Sequence, residues 1–472
     1  MRKKLTYTLT IVLILVMVLV GIVRTCKVED EAGSALPFDV ATTHEKRFHH
    51  TRYEGLPKDR AVTEIIRYIK KYLYKRPYAH EHLRHYFQEQ TEMVRSHTQD
   101  LTPDESSLSV ALFGDLMWIG KAHPHYVSEV VVDHLHAHDI VIGNLETPID
   151  VHRRVPNLLP DYLTYNSNPN LLSAFVNPAN GRLPFSLLSL ANNHALDRGV
   201  DGILNTMQLL DEMGVKHTGV FPKDTTGKRY ATIVQKNIKI GIYAATFGLN
   251  FDKPEYRNRL KINRIPGIAP PDSAQKDMSS LENAISQMRA EGVDFVIVIP
   301  HWGYEFELYP DPIIRRVAHA MVEAGADLIV GSHPHIFQPT EVVYVNNYKA
   351  DHAADFYDYQ PSRMNDRHGN PRKAVIFYSL GNFVSRMYTP SCQIGVISSL
   401  TIEKNAETGA TDWVLNGSRF VYNLVPTFPG KRHRLMFYDE YKDLYLLKPT
   451  KQNLRRKAEI EFMMNHFGTS II

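Results

Sequence analysis

Five times between residues 109 and 335, an apolar run of strand length ends in side chains suited to chemistry. Val110 to Phe113 leads into Gly114-Asp115, and Ile140 to Ile142 leads into Gly143-Asn144-Leu145-Glu146. Leu187 to Ala191 leads into Asn192-Asn193-His194, with Asp197, Arg198 and Gly199 close behind. Val296 to Pro300 leads into His301-Trp302-Gly303-Tyr304-Glu305, and Ala326 to Val330 into Gly331-Ser332-His333-Pro334-His335. Segments of helical character alternate with these runs: Val127–His138, Gly202–Met213 opened by Asp201, Leu281–Ala290, and Pro312–Ala324 with proline in its first turn. Strands alternating with helices predict an α/β sheet with helical layers. Such sheets bind ligands beyond the carboxyl ends of their strands, so the five clusters are expected on one rim. His333 and His335, two apart in an extended segment, point the same way.

The bulk properties narrow the classes. With 472 residues the chain has room for one large domain with appendages, or for two. A formal net charge of +3 with only short basic clusters argues against a nucleic-acid partner. Cys26 and Cys392 are the only cysteines, which excludes a disulfide framework and a cysteine-built zinc site. Arg2, Lys3 and Lys4 precede an uncharged apolar run from Leu5 to Val23, about the ~20 residues a membrane-crossing helix needs. Gly21 to Thr25 offers no convincing small-x-small cleavage site, so the expectation is an uncleaved single-pass anchor rather than a removed signal peptide. The basic N-terminus places residues 1–4 in the cytoplasm and everything after residue 24 outside.

The expected domains are therefore a cytoplasmic tip (1–4), an anchor (5–23), a linker with a helical segment (24–105), a main domain (106–425) and a C-terminal extension (426–472). Within the helical segment Val62, Ile65, Ile66, Ile69, Tyr72 and Leu73 recur at three- and four-residue spacing with Arg67, Lys70, Lys71 and Lys75 between them. That pattern predicts an amphipathic helix over 61–93, packed on the main domain or used for a partner or membrane surface. Residues 346–372 read as a polar loop, and from residue 373 strands dominate, over Ala374–Leu380, Ile394–Ile402 and Val414–Leu424.

Each polar cluster taken alone has a plain structural reading, since Gly-Asp is common in turns and a histidine beside a tryptophan is often a satisfied core pair. Together they are what a metal-dependent phosphoester site requires, with carboxylates bridging cations and imidazoles capping them. Two cations about 4 Å apart activate a water and hold phosphoryl oxygens.

These residues resemble the CapA family of capsule and poly-gamma-glutamate biosynthesis proteins, with a calcineurin-like metallophosphatase fold. The likeness rests on Phe113-Gly114-Asp115, Gly143 to Glu146, Ala191 to Gly199, His301-Trp302-Gly303 with Glu305, Gly331 to His335, and Tyr378-Ser379-Leu380-Gly381-Asn382-Phe383, in that order over roughly residues 108–425. It implies a layered α/β sandwich holding one or two divalent ions (Mn, Zn, Fe or Mg). Asp115 and His335 would hold one ion, Asn193, His301 and His333 the second, and Glu146 would bridge them. His194 would contact the scissile group or protonate the leaving oxygen, its ring oriented by Asp197. Asn144, Asn192, Glu305, Ser379 and Asn382 would line the substrate side, with a tight turn as the other reading for Ser379. Two positions depart from ordinary metallophosphatases: where they carry Asp-x-His, this chain has Met117, a poor ligand for hard cations, and the bridging place that they fill with Asp is taken by the longer Glu146. Three functions follow. The first is an extracytoplasmic metal-dependent hydrolase or transferase acting on phosphate esters or on an anionic polymer, tied to capsule assembly or not. The second is a non-catalytic polymer-binding subunit of a membrane synthase complex, and the third is a sensor of metal or phosphate.

Overall fold

The structure is a computed structural model that describes residues 71–72, 81–99, 106–156, 164–265, 278–345, 372–425, 432–445 and 451–467. The chain divides into Met1–Phe48 and His49–Ile472, and the described residues all belong to the second unit. The anchor expected over 5–23, residues 61–70 and 73–80 of the helix expected over 61–93 and nearly all of the 346–372 loop lie outside the described residues. Among the described residues no helix is long and apolar enough to cross a membrane.

Two mixed sheets carry the domain. In the first, β1 (Leu108–Met117), β2 (Ile140–Glu146), β3 (Leu187–Ser189) and β4 (Lys216–Thr218) are parallel neighbours. β14 (Ile394–Lys404) joins the other side of β1 antiparallel, followed by β15 (Thr411–Leu424) and β16 (Arg434–Phe437), while β13 (Asn382–Val384) pairs with the end of β1. In the second, β7 (Ile238–Thr246), β9 (Phe295–His301), β10 (Leu328–Val330) and β12 (Arg372–Phe377) run parallel, edged by the antiparallel β6 (Ala231–Gln235) and β11 (Thr340–Val345). A separate two-stranded pair joins β5 (Val220–Pro222) to β8 (Leu260–Ile262).

Side-chain alternation assembles the layers, because successive residues of a strand face opposite sides. Leu108, Val110 and Leu112 of β1 share one core cluster with Ile238, Ile240 and Ile242 of β7 and Phe295, Ile297 and Ile299 of β9, so this cluster lies between the sheets. The intervening Ala111 and Phe113 face α2 (Glu129–His136) and α4 (Gly199–Glu212) in a second cluster. Val296 and Val298 face α1 (Glu81–Ser96), α5 (Ser279–Ala290) and α6 (Pro312–Ala324) in a third. The order is helices, sheet, sheet, helices, as the alternating pattern requires. α6 begins where expected, since Asp311 accepts from the Ile313 N–H at 2.9 Å and Pro312 needs no partner for an amide it lacks.

Two boundaries differ from expectation. β1 continues three residues beyond Gly114, because β13 from far along the chain adds to it and the Asp115 N–H donates to the Gly381 carbonyl at 2.9 Å. β16 lies in the segment assigned to the C-terminal extension, yet it pairs with β15 and buries Leu435, Met436 and Phe437.

The described part of the expected helix, α1, packs on the domain through Leu83, Phe87 and Val94. It is tied down by a buried network around Glu341 of β11. Tyr86 and Tyr378 donate their hydroxyls to Glu341, the latter at 2.6 Å, and His319 Nε2 lies 2.7 Å from it. Arg315 stacks its guanidinium 3.6 Å from the Tyr86 ring centre and stands 3.6 Å from the same carboxylate. Burial alone would raise the Glu341 carboxyl, but His319, Arg315 and the Tyr378 hydroxyl overcome it and hold it at about 2 instead of 4.5. A depressed folded-state value means the charged form stabilises the fold above the unfolded value. That contribution is lost as pH falls from about 4.5 through about 2. Glu341→Gln leaves a buried guanidinium without its counter-charge, so it is expected to cost about 3–5 kcal/mol in urea unfolding at neutral pH. The same variant should flatten stability between those two pH values. A loss below about 1 kcal/mol would show that the network carries no such load.

Candidate metal centre

All five clusters reach one rim, and their side chains converge between the two sheets' strand ends. From the first sheet come Asp115 and Glu146, fully buried at the ends of β1 and β2. Asp115 Oδ1 accepts from Asn144 Nδ2 at 2.8 Å, and its Oδ2 accepts from the His333 backbone N–H at 3.0 Å. From the second sheet come His301 at the end of β9, and His333 and His335 just after β10. His301 Nε2 lies 2.9 Å from Asn193 Oδ1, and its Nδ1 lies 2.9 Å from Ser332 Oγ. His335 Nδ1 stands 3.5 Å from Asp115 Oδ2 and 3.1 Å from Asn382 Oδ1.

Close backbone approach makes this convergence possible. A Cβ at Gly114 would sit 1.9 Å from the Gly381 carbonyl, and one at Gly331 would sit 2.1 Å from the Tyr378 carbonyl. His333 and His335 hold φ of +102° and +60°, a region non-glycine residues enter at a cost of about 1–3 kcal/mol each. The surrounding bonds pay that cost, as they do elsewhere at sites that serve a function.

Three groups of donors each bring their ligand atoms within 4.8 Å of one another: Asp115, Glu146 and His335; Glu146, His301 and His333; and Glu305, His333 and His335. The first two share Glu146, the residue expected to bridge. Neither carboxylate oxygen of Glu146 is hydrogen-bonded among the described residues; His301 Nε2 stands at 3.5 Å and His335 Nδ1 at 4.0 Å. A buried carboxylate so placed is costly unless a proton or a cation neutralises it. Burial together with the neighbouring Asp115 and Glu305 charges pushes the Glu146 carboxyl well above its usual range. Asp115 goes the other way: burial opposes it, but His335, His301 and Asn144 hold it well below its usual value. Burial and the adjacent His333 depress His301, whereas His335 rises because Glu146, Asp115 and Glu305 outweigh its burial. A buried carboxylate whose charge is disfavoured without a counter-cation, set among imidazoles and a second carboxylate, is a donor set that fits divalent cations.

His194 stands at the edge of this cluster. Its Nδ1 lies 2.6 Å from Asp197 Oδ2, which also accepts from the Tyr165 N–H at 2.6 Å. The Tyr165 ring stacks on the imidazole at 3.9 Å and 12°, and Trp118 stacks on Tyr165 in turn. The His194–Asp197 pair was expected from sequence. Tyr165 was not, nor was Asn250, whose Nδ2 lies 3.4 Å from both His194 ring nitrogens and whose N–H donates to the Asn193 carbonyl. Ser332, silent between Gly331 and His333, orients His301; its place inside the motif was the available signal.

The residues expected on the substrate side separate into kinds. Asn144 and Asn192 are buried and hold neighbours, Asn144 as above and Asn192 through the Leu145 carbonyl at 2.8 Å and Asn144 Oδ1 at 3.2 Å. Asn382 orients His335 and donates to the Cys392 carbonyl at 2.9 Å. Ser379 donates to the Ile336 carbonyl at 2.7 Å and accepts from the Gly381 N–H at 3.1 Å, which is the turn reading. Glu305 stands among the histidine donors, 3.7 Å from His335 Nε2. Met117 is buried opposite Glu146 in the β1–β2 register.

Fold and site together define a two-sheet α/β protein with a buried carboxylate–imidazole centre at its strand ends. The sequence profile described as bacterial capsule synthesis protein PGA_cap matches residues 80–387, and the chain belongs to that family. It is 29% identical over 294 residues to the "Capsule biosynthesis protein CapA" of Bacillus anthracis, covering 60% of each chain. It is 26% identical over 303 residues to the "PGA biosynthesis protein CapA" of Bacillus subtilis (strain 168), covering 62% of this chain and 66% of that one. A "Probable polyglutamine synthesis accessory protein" of Mycobacterium tuberculosis is 27% identical over 212 residues, 44% of this chain and 52% of that one. The matched stretches thus span less than two thirds of these relatives' lengths. Among solved structures, a novel phosphatase of Mycoplasma pneumoniae aligns over 66% of this chain and 92% of its own at 12% identity and a TM-score of 0.33. The sulfate thiohydrolase SoxB of Thermus thermophilus aligns over 78% and 62% at 11% identity and a TM-score of 0.31. Overlaps this low carry no argument about chemistry.

Proposed function

We propose that the chain is a single-pass, membrane-anchored protein of capsule or poly-gamma-glutamate-type polymer assembly, with its main domain outside the cell membrane. Its strand-end centre holds one or two divalent ions in a metallophosphatase-like fold, acting on a phosphate ester or on the anionic polymer itself. The observation that carries this reading is Glu146, a buried carboxylate without hydrogen bonds, flanked by donors on both sides. The family membership and the apolar run at 5–23 support polymer assembly and anchoring.

Asp115, Glu146 and His335 would hold one ion, and Glu146, Asn193, His301 and His333 the other, with Glu305 in reach of His333 and His335. Bound there, divalent ions supply an activated water and a clamp on phosphoryl oxygens. The protein's own part is to bind and orient. Asn144 and the His333 N–H fix the Asp115 carboxylate, Ser332 fixes His301, and Asn382 fixes His335. With Asp197 accepting from His194 Nδ1, the doubly protonated ring would carry on Nε2 the proton given to a leaving oxygen.

Met117, in the place of an imidazole, favours a second reading in which the centre binds the polymer for a membrane synthase without cleaving it. One experiment separates the two. The full chain is purified in detergent, its bound metal is measured, and phosphomonoester and phosphodiester turnover are assayed. Bound divalent metal with turnover supports the first reading, and metal without turnover supports the second. A parent protein devoid of metal after loading would sink both.

A further inference from the structure

A small pocket is lined by segments that continue from the loops of the centre. Leu196, Leu260 and Ile262 make its apolar part, Tyr256 contributes an aromatic wall, and Asp252, Arg257 and Arg264 supply its charge. Three chain segments join it to the centre. Leu196 follows His194 by two residues in one loop. Asn250, which touches His194, precedes Asp252 by two. Arg264 bridges Thr246 at the end of β7, where the Phe247 N–H donates to the His301 carbonyl at 3.1 Å. Tyr256 reaches the loop of His194 as well, since a Cβ at Gly199 would lie 3.6 Å from its hydroxyl.

The charge of the pocket is unbalanced in one direction. Arg257 Nη2 and Arg264 Nη2 contact the same oxygen of Asp252, at 3.0 and 2.9 Å. Two guanidiniums against one carboxylate leave one net positive charge, and both heads meet at the shared oxygen. A guanidinium carries five donors, and among the described residues each of these two side chains makes one polar contact, to Asp252. The fork geometry suits a carboxylate or a phosphate. The apolar floor narrows the choice, since it rewards methylene groups attached to the anion and offers nothing to a free phosphate.

We propose that this pocket is a docking subsite for a carboxylate flanked by methylene groups of a polymer chain, with the anion held by Arg257 and Arg264 and the methylenes lying on Leu196, Leu260 and Ile262. The proposal rests on the reading of the centre as one that meets an anionic polymer. It adds a place beside the reacting group where a neighbouring unit of the chain is gripped. A ligand seated there runs past His194, so recognition and chemistry share one loop.

The test measures binding to the full chain in detergent by calorimetry. The probes are a γ-linked glutamate pentamer, the same pentamer with its carboxyls converted to amides, and inorganic phosphate. The parent should bind the acid pentamer, with the amide pentamer at least about tenfold weaker. The double variant Arg257→Gln/Arg264→Gln should weaken the acid pentamer about tenfold at unchanged metal content. Both arginines are largely surface groups, with side chains 71% and 39% exposed, so the fold should survive; circular dichroism checks it. Parental affinity in the double variant, equal binding of acid and amide, no pentamer binding, or phosphate competing as well as the pentamer would each overturn the subsite. Loss of metal in the parent would instead strike the reading of the centre, and the arginine comparison would still report on the pocket.

Discussion

His333→Ala is expected to lower divalent-metal affinity by at least about a hundredfold, read as metal content after dialysis against graded free metal. His333 enters two of the three donor groups, with Glu146 and His301 in one and with Glu305 and His335 in the other. His335 also enters two groups, and the His333 ring faces it at 5.8 Å and His301 at 4.7 Å. Its backbone N–H also fixes Asp115 at 3.0 Å, and alanine keeps that bond, so the variant removes the imidazole alone. The metal-free fold should therefore survive. Metal retained at parental affinity would show that the centre is assembled around other donors.

His194→Ala should leave metal content unchanged and reduce turnover of the substrate identified in the assays above by about 10²–10⁴-fold. The imidazole belongs to none of the donor groups, and its Nδ1 is committed to Asp197 at 2.6 Å. Its place is fixed on three sides by Asp197, by the Tyr165 ring and by Asn250. Asp197→Asn should produce a smaller loss and alter the pH profile, since the ring would lose the acceptor that sets its tautomer. Turnover unaffected by His194→Ala would place the proton donor elsewhere, and a matching loss of metal would make His194 part of the cation's support.

The candidate centre was legible to an unusual degree because its residues follow apolar runs. Asp115, Glu146, His301, His333 and His335 each stand at or just beyond the end of a parallel strand, and parallel strands deliver such ends to one rim. Supporting residues were less legible. Asn250 and Tyr165 lie in irregular segments with no periodic pattern to mark them, and contact with His194 alone gives them meaning. Ser379 and Asn382 stood out in sequence with two readings, pocket lining or a tight strand-end turn; Ser379 bonds within the turn, and Asn382, at the start of β13, contacts His335. Glu305 moved from the substrate side to the donors because the loop after β9 folds back on His335.

By itself the sequence determined the alternation of strands and helices, the strand-end position of the donors and the family the chain resembles. All of these depend on local pattern, on hydrophobic period and on neighbours in the chain. Tertiary structure decided which donors share a place. β13 extends β1 and carries Asn382 to His335, two sheets bring Glu146 opposite His301, and β16 completes a sheet from a segment that read as an appendage. These contacts join residues tens to hundreds of positions apart, and no spacing along the chain encodes them. The physical reason is that a buried carboxylate takes its charge state from whatever surrounds it in space.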